Sequence, residues 1–292
     1  MRIRLPQVSF TLLIFSLLLA SCQKKDVAVS TDSSGYKGFT LLPSSKTHIK
    51  NNNTLPETPT QNHFIWDSYY NGGGVAAGDV NNDGLVDLYF TNTMTPNALY
   101  LNKGNFVFED VTKKAGVEGG EGVSWGTTIA DINGDGWLDI YVCKSGASPD
   151  PSTKRNKCYI NQRDGTFKEM ARAMGIDNPG YSVQAAFFDY DRDNDLDLFV
   201  MNQPSNARTE RSKYGAVGAD QTPFVNESTS DRLYRNDGKM HFTDVSAEAG
   251  VVSFIYGLGL KICDLNGDHW PDVYVASDYD WPDNVLINNG NG

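Results

Sequence analysis

The chain has 292 residues, 39% of them hydrophobic, and a formal net charge of −11. That is enough length and apolar content for one large or two ordinary domains with a core. So acidic a balance excludes a nucleic-acid binder, which needs a basic footprint. The 28 glycines, 14 tyrosines and 14 phenylalanines lean toward many short strands joined by tight turns.

Residues 1–22 read as a targeting segment. Arg2 and Arg4 precede a mostly apolar stretch over 10–19, too short to span a membrane. Leu19, Ala20, Ser21 and Cys22 resemble the cleavage box of bacterial lipoproteins, which makes Cys22 the expected lipidated first residue of the mature chain. An ordinary secretory signal with a chance cysteine is the alternative. Gln23 rather than Asp follows Cys22, so the inner-membrane retention signal is absent and an outer-membrane anchor is expected. Residues 23–60 are rich in Ser, Thr, Asn, Lys and Pro and read as a flexible tether, in which only 38–42 has the composition to pack.

From residue 61 to 292 the chain repeats. Each unit opens with a short apolar run (75–78, 127–130, 183–188, 259–263) that leads into an acidic nonapeptide. The four nonapeptides begin at Asp79, Asp131, Asp189 and Asp264, which are 52, 58 and 75 residues apart. A second apolar run follows at once (88–91, 140–142, 198–201, 273–276), then a third (98–101, 158–160, 232–235, 284–287). The third run ends in Asn102, Asn161, Asn236 or Asn288 with glycine soon after, a hairpin-turn signal. A fourth run (106–111, 167–170, 242–245) completes three of the units, and small-residue links at 115–117, 174–176 and 249–251 lead onward. Four short antiparallel strands per unit describe the blades of an all-β propeller, expected at about 72–117, 125–176, 182–251 and 256–292. The last unit stops on the turn where its fourth strand is due, so the reading is about four blades of a larger ring, incomplete at the C-terminus.

Each nonapeptide carries side-chain oxygens at positions 1, 3, 5 and 9. Position 6 is Gly84 or Gly136 in the first two, and Asn194 or His269, which tolerate positive φ, in the others. Fourteen of the 36 acidic residues lie in these loops. Carboxylates gathered so closely repel one another unless a cation joins them, so the loops read as sites for a hard metal ion. The alternative is loops that hydrogen-bond only themselves. An EF-hand is excluded, because its bidentate Glu would fall at Phe90, Val142, Val200 and Val275, inside the second strands.

Other signals are weaker. Residues 122–126 match G-x-S-x-G, but they lead into a strand, and Gly126 aligns with Gly74 and Gly259 as a repeat glycine. No histidine pair has catalytic or zinc spacing, and no catalytic set is expected. Cys143 and Cys158 fall on neighbouring strands, as a disulfide or as two buried thiols, and Cys263 has no obvious partner. The long second-to-third links carry Lys144, Lys154, Arg155 and Lys157, and Arg208, Arg211 and Lys213. These form either a recognition face or plain solvated surface.

The wording of the blades, in Tyr70-Asn-Gly-Gly-Gly-Val-Ala-Ala-Gly-Asp79, Asn97-Ala-Leu-Tyr-Leu-Asn102 and Phe108-Glu-Asp-Val-Thr-Lys-Lys-Ala-Gly-Val117, resembles FG-GAP/VCBS calcium-binding repeats, as in the integrin α-subunit propeller. It is closer still to the bacterial ASPIC/UnbV group related to cartilage acidic protein. The resemblance covers about residues 36–292 and implies a roughly seven-bladed propeller with Ca²⁺ in each loop. The implied ligands are Asp79, Asn81, Asp83, Asp87 and the Leu85 carbonyl; Asp131, Asn133, Asp135, Asp139 and the Trp137 carbonyl; Asp189, Asp191, Asp193, Asp197 and the Asp195 carbonyl; and Asp264, Asn266, Asp268, Asp272 and the Trp270 carbonyl. The expected function is a non-catalytic binding or adhesion module of the cell envelope. Its ligand would be a protein or a glycan, and it would meet the membrane only through its lipid. The alternative is a polysaccharide-active, lyase-like enzyme or its substrate-capture subunit, which would need a base beside a substrate-facing carboxylate.

Overall fold

In a computed structural model of the protein, the described residues are 38–59, 62–146, 148, 150–204, 229–251, 253, 255–278 and 282–291. Cys22 with the targeting segment, the tether up to residue 37, and Arg208, Arg211 and Lys213 lie outside them. The chain divides into two units, Met1–Leu41 and Leu42–Gly292. In the first, Phe39 and Leu41 are exposed. The second holds all the strands of the described residues.

Among the described residues, fifteen strands form four antiparallel sheets in simple sequence order. The first blade is β1 (Val75–Gly78), β2 (Asp87–Phe90), β3 (Ala98–Asn102) and β4 (Phe108–Asp110). The second is β5 (Val123–Ala130), β6 (Asp139–Ser145), β7 (Lys157–Asn161) and β8 (Phe167–Glu169). The third is β9 (Ser182–Phe188), β10 (Asp197–Asn202), β11 (Arg232–Asn236) and β12 (Phe242–Asp244). The fourth has three strands, β13 (Gly257–Cys263), β14 (Asp272–Ser277) and β15 (Asn284–Leu286). This is the all-β blade architecture expected from the repeats. Two of the small-residue links form single helical turns, α1 (Thr112–Ala115) and α2 (Ala171–Met174), each closed by a left-handed glycine, Gly116 or Gly175.

The core lies between blades, which is why the second runs are apolar at consecutive positions rather than at alternate ones. Successive side chains of a strand point to opposite faces. In β6, Ile140 and Val142 pack toward Tyr89 and Leu99 of blade 1, while Tyr141 and Cys143 pack toward Leu198 and Val200 of blade 3. The cluster between blades 2 and 3 is the largest of these seams. Cys143 and Cys158 are free thiols within it.

The first strands β1, β5, β9 and β13 lie side by side in that order. Their backbones pass so closely that a Cβ on Gly74 would sit 2.7 Å from Trp125 O, and one on Gly126 only 2.3 Å from Val183 O. That contact accounts for the repeat glycine in blades 1 and 2, whereas a Cβ on Gly259 would meet only Ala276 Cβ at 3.7 Å. Ser124 of the G-x-S-x-G match is buried in β5 and accepts a hydrogen bond from Lys144 Nζ at 3.0 Å.

Residues 62–70 cross the starts of these strands. Trp66 stacks on Trp125 with ring centroids 5.1 Å apart, and Ser68 Oγ lies 2.6 Å from Tyr256 Oη and 3.3 Å from Gln203 Nε2. Upstream, Ile49 packs on blade 1, and the Asn51 and Asn53 amides donate to Asn92 Oδ1 and Thr93 Oγ1 at 3.2 and 3.1 Å. Within the segment read as tether, packing thus comes from 49–55.

Candidate metal centres

All four nonapeptides follow first strands, so they emerge at one end of the blades. Each is held by closely similar bonds, loop 4 using the N–H of position 4 where the others use that of position 5. The position-1 carboxylate accepts two backbone N–H groups: Asp131 Oδ1 and Oδ2 take those of Asp135 and Gly136 at 2.9 and 2.8 Å. Asp79 holds Asp83 and Gly84, Asp189 holds Asp193 and Asn194, and Asp264 holds Gly267 and His269. Position 5 accepts the N–H of position 7, as Asp135 Oδ1 does from Trp137 at 2.9 Å. Positive φ occurs at position 6 (Gly84, Gly136, Asn194, His269) and also at position 4 (Asn82, Gly134, Arg192, Gly267).

Position 9 has a second role that the sequence reading missed. Asp87, Asp139, Asp197 and Asp272 are wholly buried, and each uses both oxygens on backbone donors. Asp139 Oδ2 accepts Ile132 N at 3.0 Å, and its Oδ1 accepts Asn161 N at 2.8 Å. The same pair recurs as Val80 and Asn102, Tyr190 and Asn236, and Leu265 and Asn288. This carboxylate therefore pins the loop to the end of the third strand. The strand-ending Asn adds its amide, donating from Asn102, Asn161, Asn236 and Asn288 to the carbonyls of Val86, Leu138, Leu196 and Pro271. Asn at that point of every repeat was the visible signal.

In loop 3, one carboxylate oxygen from each of Asp189, Asp191 and Asp197 lies within 4.8 Å of the others. Asp195 Oδ1 in the same loop is buried and has no hydrogen-bond partner. Asp191 and Asp193 each offer a carboxylate at positions 3 and 5. In the other loops Asn81, Asn133 and Asn266 fill position 3 and donate to Asp83, Asp135 and Asp268 at 3.0, 3.1 and 2.8 Å. The donor set is oxygen throughout, which suits a hard divalent cation, and an orphaned carboxylate oxygen is what such an ion satisfies.

Burial raises three of the position-9 acids, Asp87, Asp139 to about 6 and Asp197 to about 7, with neighbouring loop carboxylates adding to the effect. Asp195 rises to about 6, from burial and then from Asp193. Their folded values lie above the unfolded value of about 4, so the folded chain holds these protons more tightly than the unfolded one. That stabilisation is complete below about pH 4 and is lost as pH climbs through about 6 to 7. In chelator, the melting temperature is therefore expected to fall by several degrees between about pH 5 and about pH 8. A calorimetric melt that rises across that window would contradict the assignment.

The opposite end of the blades is ordered by a second repeated cap. Asn97, Asn156, Asp231 and Asp283 accept the backbone N–H of Asn92, Lys144, Asn202 and Ser277 at 3.0, 2.7, 2.9 and 2.8 Å. Lys144 is wholly buried and donates to Gly119 O, Gly122 O and Ser124 Oγ at 3.0–3.1 Å. Arg155 is paired with Asp177 at 2.8 Å, and Lys154 Nζ lies 4.8 Å from the Tyr181 ring centroid. The basic residues Lys144, Lys154 and Arg155 of the recognition surface expected over 144–157 are thus spent on internal contacts, because the links between blades and β5 supply partners that the sequence does not display.

Between residues 62–70 and blades 1 and 2, this end holds a cleft of about 720 Å³. Ile65, Trp66, Met94 and Pro96 line it, with Glu118 and Glu121 among the polar residues.

Residues 79–142 and 147–200 match the family described as FG-GAP-like repeat. The chain is 30% identical over 213 residues to cartilage acidic protein 1 of Xenopus tropicalis, covering 71% of this chain and 29% of that protein. It is 30% identical over 210 residues to cartilage acidic protein 1 of Mus musculus, with the same two coverages. The human protein aligns over 148 residues at 30% identity, covering 49% of this chain and 20% of its own length. The chain thus spans less than a third of the length of these relatives. Over residues 79–142 and 147–200 the chain is similar to FG-GAP-like repeats, and its antiparallel sheets are arranged as the blades of a β-propeller.

Proposed function

We propose that this is a calcium-stabilised, non-catalytic binding or adhesion module of the cell envelope, held at the outer membrane by lipid on Cys22, that captures a protein or glycan ligand. The observation that carries it is the oxygen-only donor set repeated in four loops at one end of the blades. Asp79, Asn81, Asp83 and Asp87, and their counterparts in the other three loops, would hold the ion, with the carbonyls of Leu85, Trp137, Asp195 and Trp270. Bound Ca²⁺ would supply the positive charge that lets the carboxylates converge. Ligand capture falls to the other end, where the cleft beside Trp66 is apolar within and acidic at Glu118 and Glu121. Such a cleft suits a neutral or cationic ligand better than an anionic glycan.

The test has two arms. Calorimetry should detect up to four Ca²⁺ sites with dissociation constants of about 10⁻⁴ to 10⁻³ M. Arrays of glycans and peptides should then give binding that Ile65→Glu with Met94→Glu removes. No heat at millimolar Ca²⁺ would sink the metal reading. Ligand retained by the double variant would move the site out of the cleft.

A further inference from the structure

Each blade turns after its third strand in the same way. The Asn side-chain oxygen accepts the N–H of the residue two positions on, at 2.9–3.0 Å, and that residue has positive φ. In three blades it is glycine: Gly104, Gly238 and Gly290. In blade 2 it is Arg163, held at φ 63°. An arginine placed there gives up the conformational freedom that glycine has, and its side chain is directed back onto loop 2.

The guanidinium meets Asp135 Oδ2 through Nη2 at 2.8 Å and Nε at 3.3 Å. Oδ1 of the same carboxylate already accepts Trp137 N, so Oδ2, facing the Asn133 amide at 3.1 Å, is the oxygen left for a cation. Loop 1 offers a built-in comparison. It has the same donor types, Asp79, Asn81, Asp83 and Asp87 with glycine at position 6, and its turn carries Gly104. Among the described residues, no ion pair reaches Asp83.

We infer that Arg163 is a resident counter-cation of the second loop, which a divalent ion must displace from Asp135, so that loop 2 fills at higher calcium than its twin, loop 1. The inference rests on the calcium reading of the loops. It makes the four sites unequal by construction: one loop is neutralised in part by the protein itself and remains ordered when calcium is scarce.

Terbium is the probe, excited through Trp137 at position 7 of loop 2. In the full chain, Trp270→Phe removes the tryptophan of loop 4, and Asp83→Ala disables loop 1. Against that background, Arg163→Gly restores the residue of the other three turns, at a φ that glycine adopts freely, so folding is not compromised. The expected result is a roughly two- to fivefold lower half-saturation by terbium, the size of one partly exposed ion pair. Calcium should displace the terbium with the same order of affinities. Arg163→Gln, which keeps the side chain's bulk without its charge, should tighten binding as well. Sensitised emission with unchanged half-saturation in both variants would overturn the inference and leave the calcium reading standing. No sensitised emission at millimolar terbium, in any variant, would overturn both.

Discussion

Chelating divalent cations is expected to lower the melting temperature of the full chain by about 10 °C or more relative to about 10 mM calcium. Sites of about 10⁻³ M each add about 1.4 kcal/mol at that concentration, and four of them about 5 to 6 kcal/mol. For a body of this size, each kcal/mol moves the midpoint by about 2 to 4 °C. Magnesium is the control, since it demands octahedral geometry and sheds water reluctantly, so it should recover little of the loss. Identical calorimetric midpoints in calcium and chelator would reduce the loops to ordinary acidic turns.

The second large effect separates the two roles of the loop acids. Asp139→Ala removes the acceptor for Ile132 N and Asn161 N, both in a buried setting. Two orphaned donors cost about 2 to 5 kcal/mol, and the cost should appear with or without calcium. Asp135→Ala leaves its loop's position-1 and position-9 bonds in place and removes the partly exposed Arg163 pair, so in chelator it should cost less than Asp139→Ala, and its cost should grow when calcium is present. It should also lower the stoichiometry by one. Chemical denaturation of both variants, each in calcium and in chelator, gives the four values needed. Equal costs for Asp139→Ala and Asp135→Ala in chelator would show that position 9 is not the pin described.

Strands and loops were legible in the sequence because both are written as short-range patterns. Apolar runs flank each nonapeptide, and the spacing of oxygens states which end of the strand it closes. Burial was not legible. Asp139 and Asp135 look equivalent as letters, and only the arrival of Asn161, 22 residues away, makes one of them structural. Lys144 read as a surface charge because its acceptors, Gly119 and Gly122, are carbonyls on a link between blades. The docking of 49–55 escaped notice for a related reason. It is held in part by asparagine amides on blade 1, and these leave no hydrophobic period. Arg163 was hidden by its turn, where the expected glycine lay two residues further on, at Gly165.

The bonds between neighbouring loops alternate along the array. Asn82 Nδ2 donates to Gly136 O at 3.1 Å and Asn161 Nδ2 to Val80 O at 2.8 Å, joining loops 1 and 2. Arg192 Nη2 donates to His269 O and Asn288 Nδ2 to Tyr190 O, both at 2.8 Å, joining loops 3 and 4. Between loops 2 and 3 the corresponding position is Gly134, without a side chain, and Asn236 donates within its own blade. That boundary instead carries the largest apolar cluster. At the loop end the four blades are thus two clasped pairs that meet across an apolar seam, and it is at the opposite end that Asn156 Nδ2, donating to Ser182 Oγ at 2.9 Å, ties the two pairs together.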